Sequence, residues 1–541
     1  MTNPSQEEID KKNKLPEPNQ PAMGLARSAS LLSIGNMASR VLGLVRDMVI
    51  ASLFGASGIL SAFIVARQVP LLVYDFLVGG ILSAALVPTL SEYAQPDRRA
   101  EFVRLAGTLL SIFTIVLGLF LLLLEVATPT IAGLLQSDPT LLPTTTKLMH
   151  LTMVSVWLSG MAGVFMAILY AQQRFTFPAI ATAVYNLGIV IAAPLLANRI
   201  GVTSLAVGLL LGSTSQLLLM GYDLRRWQNE TSKNIKTAEK FRFRLDWRHP
   251  ALRRILRLYL PIAAGMLLSI FQVGVDRRLA TSTGPNSVSW MQFATTLQQM
   301  PLGLISVAIA LAALPKLSQY FSANDELAYR KTLIRGLRMV MLLIVPAAIV
   351  LWLLGTPVTR LLFQRGEFTA IDTVNVASAL TVYLIGMLFA AIDYPLNYAM
   401  YARGNTLIPA VVGVASVLVY LLVTFALLTP LGYLGLVWAD TAKHASHALI
   451  MLGVLQNQVG GMMTELWRVA QTIVPAAMGM VLAVMALQWR WGAQFAENIG
   501  GDLFQIVALG GCGLVVYVGM LIILRAEELK IVRHGLQRMK R

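Results

Sequence analysis

Runs of apolar residues near the length that crosses a bilayer constrain this chain more than any other feature. Leu109 to Leu124 holds no charged side chain. A helix of about 20 such residues spans the roughly 30 Å hydrocarbon core. Its backbone groups bond within the helix, so it can face lipid without leaving polar groups bare. Composition agrees. Charged residues make up 13% of the 541 and hydrophobic residues 56%, whereas soluble domains carry about 25% charge. An ordinary soluble enzyme and a disordered scaffold are both excluded. The net charge of +16 is read as loop charge facing an anionic leaflet, and no nucleic-acid partner is expected.

The hydropathy pattern predicts an all-α polytopic membrane protein of about 14 spans. The first is centred near Leu42, the second near Leu77, the seventh near Met266, the eighth near Ile305, the twelfth near Met451 and the last near Leu514. The first, second, seventh and eighth are more polar than lipid-facing helices should be. Residues 1–24 read as a disordered tail, 25–224 as six spans, 225–250 as a basic linker, 251–457 as six more, 458–525 as the last two, and 526–541 as a basic tail. Basic residues in the Asp97–Arg99 turn, the Gln172–Arg174 turn, the linker and the tail fall on one side if that span count holds. The loops around Gln136–Thr146 and Ala493–Asp502 carry little positive charge. Both termini are therefore expected in the cytoplasm.

The two sets of six spans echo each other. Ala85-Leu-Val-Pro-Thr-Leu-Ser-Glu-Tyr93 reads like Ala312-Ala-Leu-Pro-Lys-Leu-Ser-Gln-Tyr320, an offset of 227 (312 minus 85). Tyr170-Ala171 and Pro178-Ala179 match Tyr401-Ala402 and Pro409-Ala410 at an offset of 231 (401 minus 170). Asp47 is echoed by Asp276, and Pro70 by Pro301. A shift of six spans preserves orientation. The expectation is two six-helix lobes in a parallel pseudo-two-fold repeat, meeting at a central cavity, with two C-terminal helices outside it.

Ionisable residues inside spans are costly and usually face a cavity or one another. Counting inward from the Gly55–Gly58 turn at 1.5 Å per residue, Arg46 lies roughly 13 Å deep and Arg40 roughly 22 Å. Arg67 on the second span lies roughly 12 Å deep, in the layer of Arg46. Arg40 and Asp47 share a helix face with Asn36 close by, and Asp75 continues a polar stripe from Gln68. Asp276, Arg277 and Arg278 sit near the outer end of the seventh span, followed by Gln298 and Gln299 on the eighth. These residues suit a cationic cavity for an anionic group, because guanidinium forks match phosphate. The candidate binding residues are Arg40, Arg46 and Arg67, then Asn36, Asp47, Asp75, Arg277, Arg278 and Gln298. The plainer reading is that Arg46 pairs with Asp47 or Asp75 and only joins helices, while Arg277 and Arg278 snorkel to the interface.

Chemistry is not evident. There is no Walker A loop and no catalytic set, and neither cofactor nor metal is expected. Cys512 is the single cysteine, which excludes multi-cysteine sites. Glu125 is read as interfacial, and His150 and His444 as isolated. For a membrane enzyme, Asp393 and Asp440 are candidates only in principle.

The run Ser39-Arg40-Val41-Leu42-Gly43-Leu44-Val45-Arg46-Asp47 resembles the opening signature of the MurJ (MviN) family of lipid II flippases. So do Leu53-Phe54-Gly55-Ala56, Val87-Pro88-Thr89-Leu90-Ser91-Glu92-Tyr93, Ser287-Val288-Ser289-Trp290-Met291, and Leu362-Phe363-Gln364-Arg365-Gly366-Glu367-Phe368-Thr369. The resemblance covers about Ser28 to Leu524. It implies a V-shaped transporter of the wider multidrug and lipid-linked oligosaccharide exporter superfamily, with a lipid-accessible groove at its last two helices. It also implies a polyprenyl-diphosphate-linked peptidoglycan precursor as cargo, flipped across a bacterial cytoplasmic membrane by alternating access. Arg40 and Arg46 match the family's first-helix arginines. Ser61 stands where better-studied members have an acidic residue, and Tyr74 and Thr296 stand where they have arginines; Arg67, Arg277 and Arg278 are the candidate replacements. A monomer is expected, with cell-wall synthases as partners. The alternatives are an exporter of another lipid-linked oligosaccharide, an orphan paralogue, or a membrane enzyme or scaffold in cell-wall synthesis.

Overall fold

The computed structural model describes residues 21–75, 85–95, 98–234, 243–246, 249–492, 495 and 498–526. The described chain is helical throughout. The first half holds α1 (Pro21–Phe54), α2 (Gly58–Ala66), α3 (Gln68–Tyr74), α4 (Val87–Tyr93), α5 (Arg99–Leu135), α6 (Leu142–Ala171), α7 (Thr176–Ile200) and α8 (Thr203–Asn234). The second holds α9 (Pro250–Ser282), α10 (Ser287–Ser322), α11 (Glu326–Leu353), the short α12 (Gly355–Phe363), α13 (Ala370–Ala402), α14 (Leu407–Leu431) and α15 (Tyr433–Val459). Helices α16 (Met462–Trp491) and α17 (Ile499–Ile523) follow. Every span centre named above falls in one of these helices except Leu77, which lies outside the described residues. Most of the N-terminal tail, part of the linker and nearly all of the C-terminal tail lie outside them too.

Among the described residues, 10 helices are long and apolar enough to cross a membrane. The expected spans missing from that set are α1, the α2–α4 segment, α9 and α15. The eighth span, α10, is more apolar than the sequence reading held. The twelfth, α15, is the polar one, because it carries Asp440, Lys443, His444 and His447.

The second span breaks at Arg67, between α2 and α3. The cause is local. Pro70 has no N–H to return to the Ala66 carbonyl four residues earlier. The Thr152 hydroxyl of α6 takes that carbonyl instead, at 3.1 Å. The break leaves Arg67 at a bend in the helix path.

The repeat extends to backbone conformation. Gln173 (φ 56°) and Gly404 (φ 71°) occupy corresponding turns. The next amides close alike, Arg174 to the Leu169 carbonyl and Asn405 to the Met400 carbonyl. Gly201 (φ 57°, ψ −140°) and Gly432 (φ 57°, ψ −132°) end α7 and α14 with almost the same dihedrals.

The halves meet at the end that the loop charges assign to the outside. The Ser61 and Ser289 hydroxyls lie 2.9 Å apart, both buried, 228 residues apart in sequence. Corresponding residues of a two-fold repeat touch only near its axis. Nearby, the Glu367 amide donates to the Ser52 carbonyl. Gly55 and Gly366 (φ +59° and +58°) pack there so closely that a β-carbon on Gly366 would sit 2.1 Å from the Ser52 oxygen. Phe293, Phe363 and Phe368 stack beside this contact. Helix α9 leans on the first half at the linker end, where Arg254 pairs with Glu92 at 2.6 Å.

Helices α7 and α8 touch backbone to backbone through Gly188, Gly208 and Gly212. A β-carbon on Gly212 would lie 2.3 Å from the Tyr185 carbonyl oxygen. Small residues permit this approach in membrane bundles. Gly212→Val is therefore expected to destabilise the detergent-solubilised protein by about 1–3 kcal/mol or more through overpacking. Gly413→Val, where no atom lies within 4 Å of the added β-carbon, is the control for a thermal-melting comparison. Equal melting temperatures for the two variants would contradict this packing.

Candidate functional site

A cavity of about 470 Å³ opens between the halves. The first half contributes Arg40 from α1 and Gln68 from α3. The second contributes Asp276 and Arg277 from α9, Gln298 and Gln299 from α10, Tyr383 and Tyr394 from α13, and Asp440, Lys443 and His444 from α15. These are the helices too polar to sit in lipid, together with faces of α10 and α13. Polarity inside the spans thus marks the cavity wall.

Helices α1 and α10 cross it antiparallel. The Thr296 hydroxyl donates to Asp47 Oδ2 at 3.1 Å. Two turns away along both helices, the Arg40 guanidinium packs on Gly303, with no room there for a β-carbon. Among the described residues Arg40 forms no ion pair and no hydrogen bond, and its side chain is exposed to the cavity. Its charge is free for an anion.

Arg46 is placed differently. Its Nε donates to Asp47 Oδ1 at 2.8 Å, its Nη2 lies 2.7 Å from the same oxygen, and its Nη1 donates to Asn186 Oδ1 at 2.9 Å. Asn186 in turn donates to the Ser39 carbonyl at 3.2 Å. Arg46 is thus held by a buried carboxylate and by α7, next to the cavity and not on its wall. Asn186 went unremarked in the sequence, although an amide in the middle of an apolar helix marks an interhelical contact.

The Arg67 side chain makes no ion pair or hydrogen bond among the described residues, and its guanidinium carbon lies 5.7 Å from the Phe63 ring centroid. Its charged neighbours are Arg46, Asp47 and Arg277. It shares their layer, as its depth implied. Arg277 lines the cavity, donates to Gln68 at 3.1 Å and lies 3.9 Å from Asp276. The Tyr420 hydroxyl donates to Asp276 at 2.7 Å. Gln298 is buried and donates to the Tyr383 carbonyl.

Three further candidates lie off the cavity wall, as Arg46, Asp47 and Arg67 do. Arg278 turns toward the end of α5, where Nη1 donates to the Gly133 and Gln136 carbonyls. These are otherwise unpaired carbonyls at a helix C-terminus, which a cation suits. Asn36 and Asp75 are exposed and do not line the cavity. The family departures also find places. Ser61 sits in the contact between the halves, and Thr296 binds Asp47, so neither position presents a charge to the cavity.

The histidines read as isolated have partners. His150 Nδ1 is 2.5 Å from Glu125. His444 is 3.6 Å from Asp440, which Lys443 also holds at 2.6 Å. A second, apolar cavity of about 600 Å³ lies between α16 and α17, lined by Leu487, Trp491, Phe495 and Phe504 among others.

The family model described as "Lipid II flippase MurJ" matches residues 50–508. The chain belongs to that family. It is 28% identical to a probable lipid II flippase MurJ of Bdellovibrio bacteriovorus over 94% of this chain and 97% of that one. It is 26% identical to a lipid II flippase MurJ of Burkholderia cenocepacia over 92% and 97%. Its fold is similar to a solved lipid II flippase MurJ in an inward closed conformation, with a TM-score of 0.75 and 22% identity over 91% of this chain and 98% of that one. An inward-facing multidrug resistance transporter of the MATE family shares the fold at a TM-score of 0.66 and 13% identity, over 81% of this chain and 99% of that one. The fold likeness extends beyond lipid II flippases.

Proposed function

We propose that the chain flips lipid II, a polyprenyl-diphosphate-linked peptidoglycan precursor, from the inner to the outer leaflet of a bacterial cytoplasmic membrane. The observation that carries this reading is Arg40, a cation whose side chain has no hydrogen-bond or ion-pair partner among the described residues, on the wall of a cavity between two repeated halves. Moving a diphosphate into a low-dielectric interior is very costly unless opposite charge meets it. A guanidinium supplies charge and paired donors at once. Arg277 and Arg67 lie in the same region, and the Arg46–Asp47–Asn186 group fixes the helix that carries Arg40.

In this reading the contact around Ser61 and Ser289 closes the outer end while the cavity loads from the inside. Parting those residues releases the cargo outward. The apolar cavity between α16 and α17 suits the polyprenyl chain, which needs no polar partner. The work is transport without covalent chemistry, both termini lie in the cytoplasm, and the chain acts as a monomer beside cell-wall synthases.

Rescue of a bacterium depleted of its own lipid II flippase tests the reading. Growth and normal shape are expected with this chain. Lysis despite normal membrane expression would turn the assignment toward another lipid-linked oligosaccharide.

A further inference from the structure

The cavity does not account for a second set of titratable groups. On α15, Asp440, His444 and His447 recur at i, i+4 and i+7, so they form one stripe. The stripe starts on the cavity wall with Asp440 and His444. It ends at His447, whose Nδ1 lies 2.7 Å from Asp393 Oδ1 on α13. Asn397 donates to the other carboxylate oxygen at 2.8 Å. His447 is 14 residues from the start of α15 and 12 from its end, about 21 Å and 18 Å along the axis. The pair therefore sits near the middle of the bundle, where an ionisable group needs a reason to be. Its side chains are each 15% exposed, and the stripe runs from it to the cavity wall at His444.

We infer that the His447–Asp393 pair is a proton-binding site reached from the cavity, through which a proton gradient acts on transport. The inference rests on the flippase reading for its coupling and on the geometry alone for the site. Loading is a single proton transfer. A neutral His447 ring takes one proton and becomes an imidazolium held by the Asp393 carboxylate; release returns the neutral ring. Asp393 is positioned to accept from the ring in both states. The Pro409 backbone carbonyl of α14 also lies within hydrogen-bonding reach of the ring, which suits a ring that donates from both nitrogens.

The groups facing the pair come from several helices. On α13 they are Asp393 and Tyr394, the latter in the electrostatic field of Arg40 on α1. On α15 they are Asp440, Lys443 and His444. Helix α14 adds only Tyr420, which binds Asp276. The other charged residues on helices packed against α13 or α15 are Arg253, Arg254, Arg257, Asp276, Arg277 and Arg278 on α9, Lys316 on α10, Glu326, Arg330, Lys331, Arg335 and Arg338 on α11, Arg360 on α12, and Glu465, Arg468 and Arg490 on α16. A purely adhesive role is not required of the pair. Helices α13 and α15 are already joined where Gly386 meets Thr441 and where the Thr441 hydroxyl donates to the Val382 carbonyl.

The test uses the full chain in lipid nanodiscs with nitrogen-labelled histidine. The His447 ring signal, assigned by its loss in His447→Gln, is expected to report gain and loss of one proton within about pH 5–9. Asp393→Asn is expected to displace that transition. A ring in one protonation state throughout, or a transition indifferent to Asp393→Asn, overturns the site. A second arm places the protein in vesicles with a fluorescent polyprenyl-diphosphate-linked glycan. An imposed pH gradient is expected to change the wild-type rate several-fold and to leave the His447→Gln rate unchanged. Wild-type movement indifferent to the gradient overturns the coupling. If the wild type moves no probe under any condition, the flippase reading fails, and the ring titration still decides the site.

Discussion

Arg40→Ala is expected to abolish rescue of a flippase-depleted bacterium while leaving the protein at wild-type abundance. Among the described residues the Arg40 side chain has no ion-pair or hydrogen-bond partner to orphan, so its loss is expected to cost little in folding. What disappears is the free cation on the cavity wall. Arg40→Lys keeps the charge and loses the planar fork, so partial rescue is expected. Arg46→Ala differs in kind. It strands the buried Asp47 carboxylate, and breaking a buried pair from one side costs about 3–5 kcal/mol. Low abundance is expected there. Adding Asp47→Asn removes the stranded charge and is expected to restore abundance. Immunoblots beside growth curves separate the two arginines. Full rescue by Arg40→Ala would remove it from the anion site.

Locking the Ser61–Ser289 contact is the second large effect. Ser61→Cys with Ser289→Cys places two thiols where hydroxyls now lie 2.9 Å apart. A disulfide needs β-carbons about 3.5–4.5 Å apart, and hydroxyls in hydrogen-bond contact bring the two side chains within reach of each other. Oxidation is expected to hold the halves together at that end and stop transport almost completely. Reduction is expected to restore it, and either single cysteine is expected to work normally. The native Cys512 lies on α17, away from this contact, and serves as an internal control for non-specific oxidation. Transport at the wild-type rate by a fully cross-linked protein would mean that the halves need not part there.

Much of this architecture was legible because membrane spans obey a simple rule. Apolar runs located the helices, and echoes such as Asp47 with Asp276 located the repeat. Composition also marked α1 and α9 as cavity helices. The errors have physical causes. Helix α15 was not marked as polar, because its charges are diluted by apolar neighbours along one face. His150 gained its partner only through folding, as Glu125 lies 25 residues away, and His447 went unremarked because Asp393 lies 54 residues from it; Asp440, one turn before His444, was within reach of the sequence. The break at Arg67 was encoded by Pro70, yet Pro70 was read only as an echo of Pro301. That comparison misled, since α10 runs on through Pro301 without a break. Arg278 was read with Arg277 because they are adjacent. Neighbours on a helix point about 100° apart, and one faces the cavity while the other caps α5.

The most direct test of the central claim is reconstitution of the purified chain into vesicles carrying lipid II in one leaflet. Appearance of lipid II in the opposite leaflet is followed with a membrane-impermeant probe. The account predicts movement by wild type, none by Arg40→Ala, and redox-controlled movement by the Ser61→Cys, Ser289→Cys pair. Well-folded wild type that moves no lipid II, or Arg40→Ala that moves it equally fast, would contradict the account.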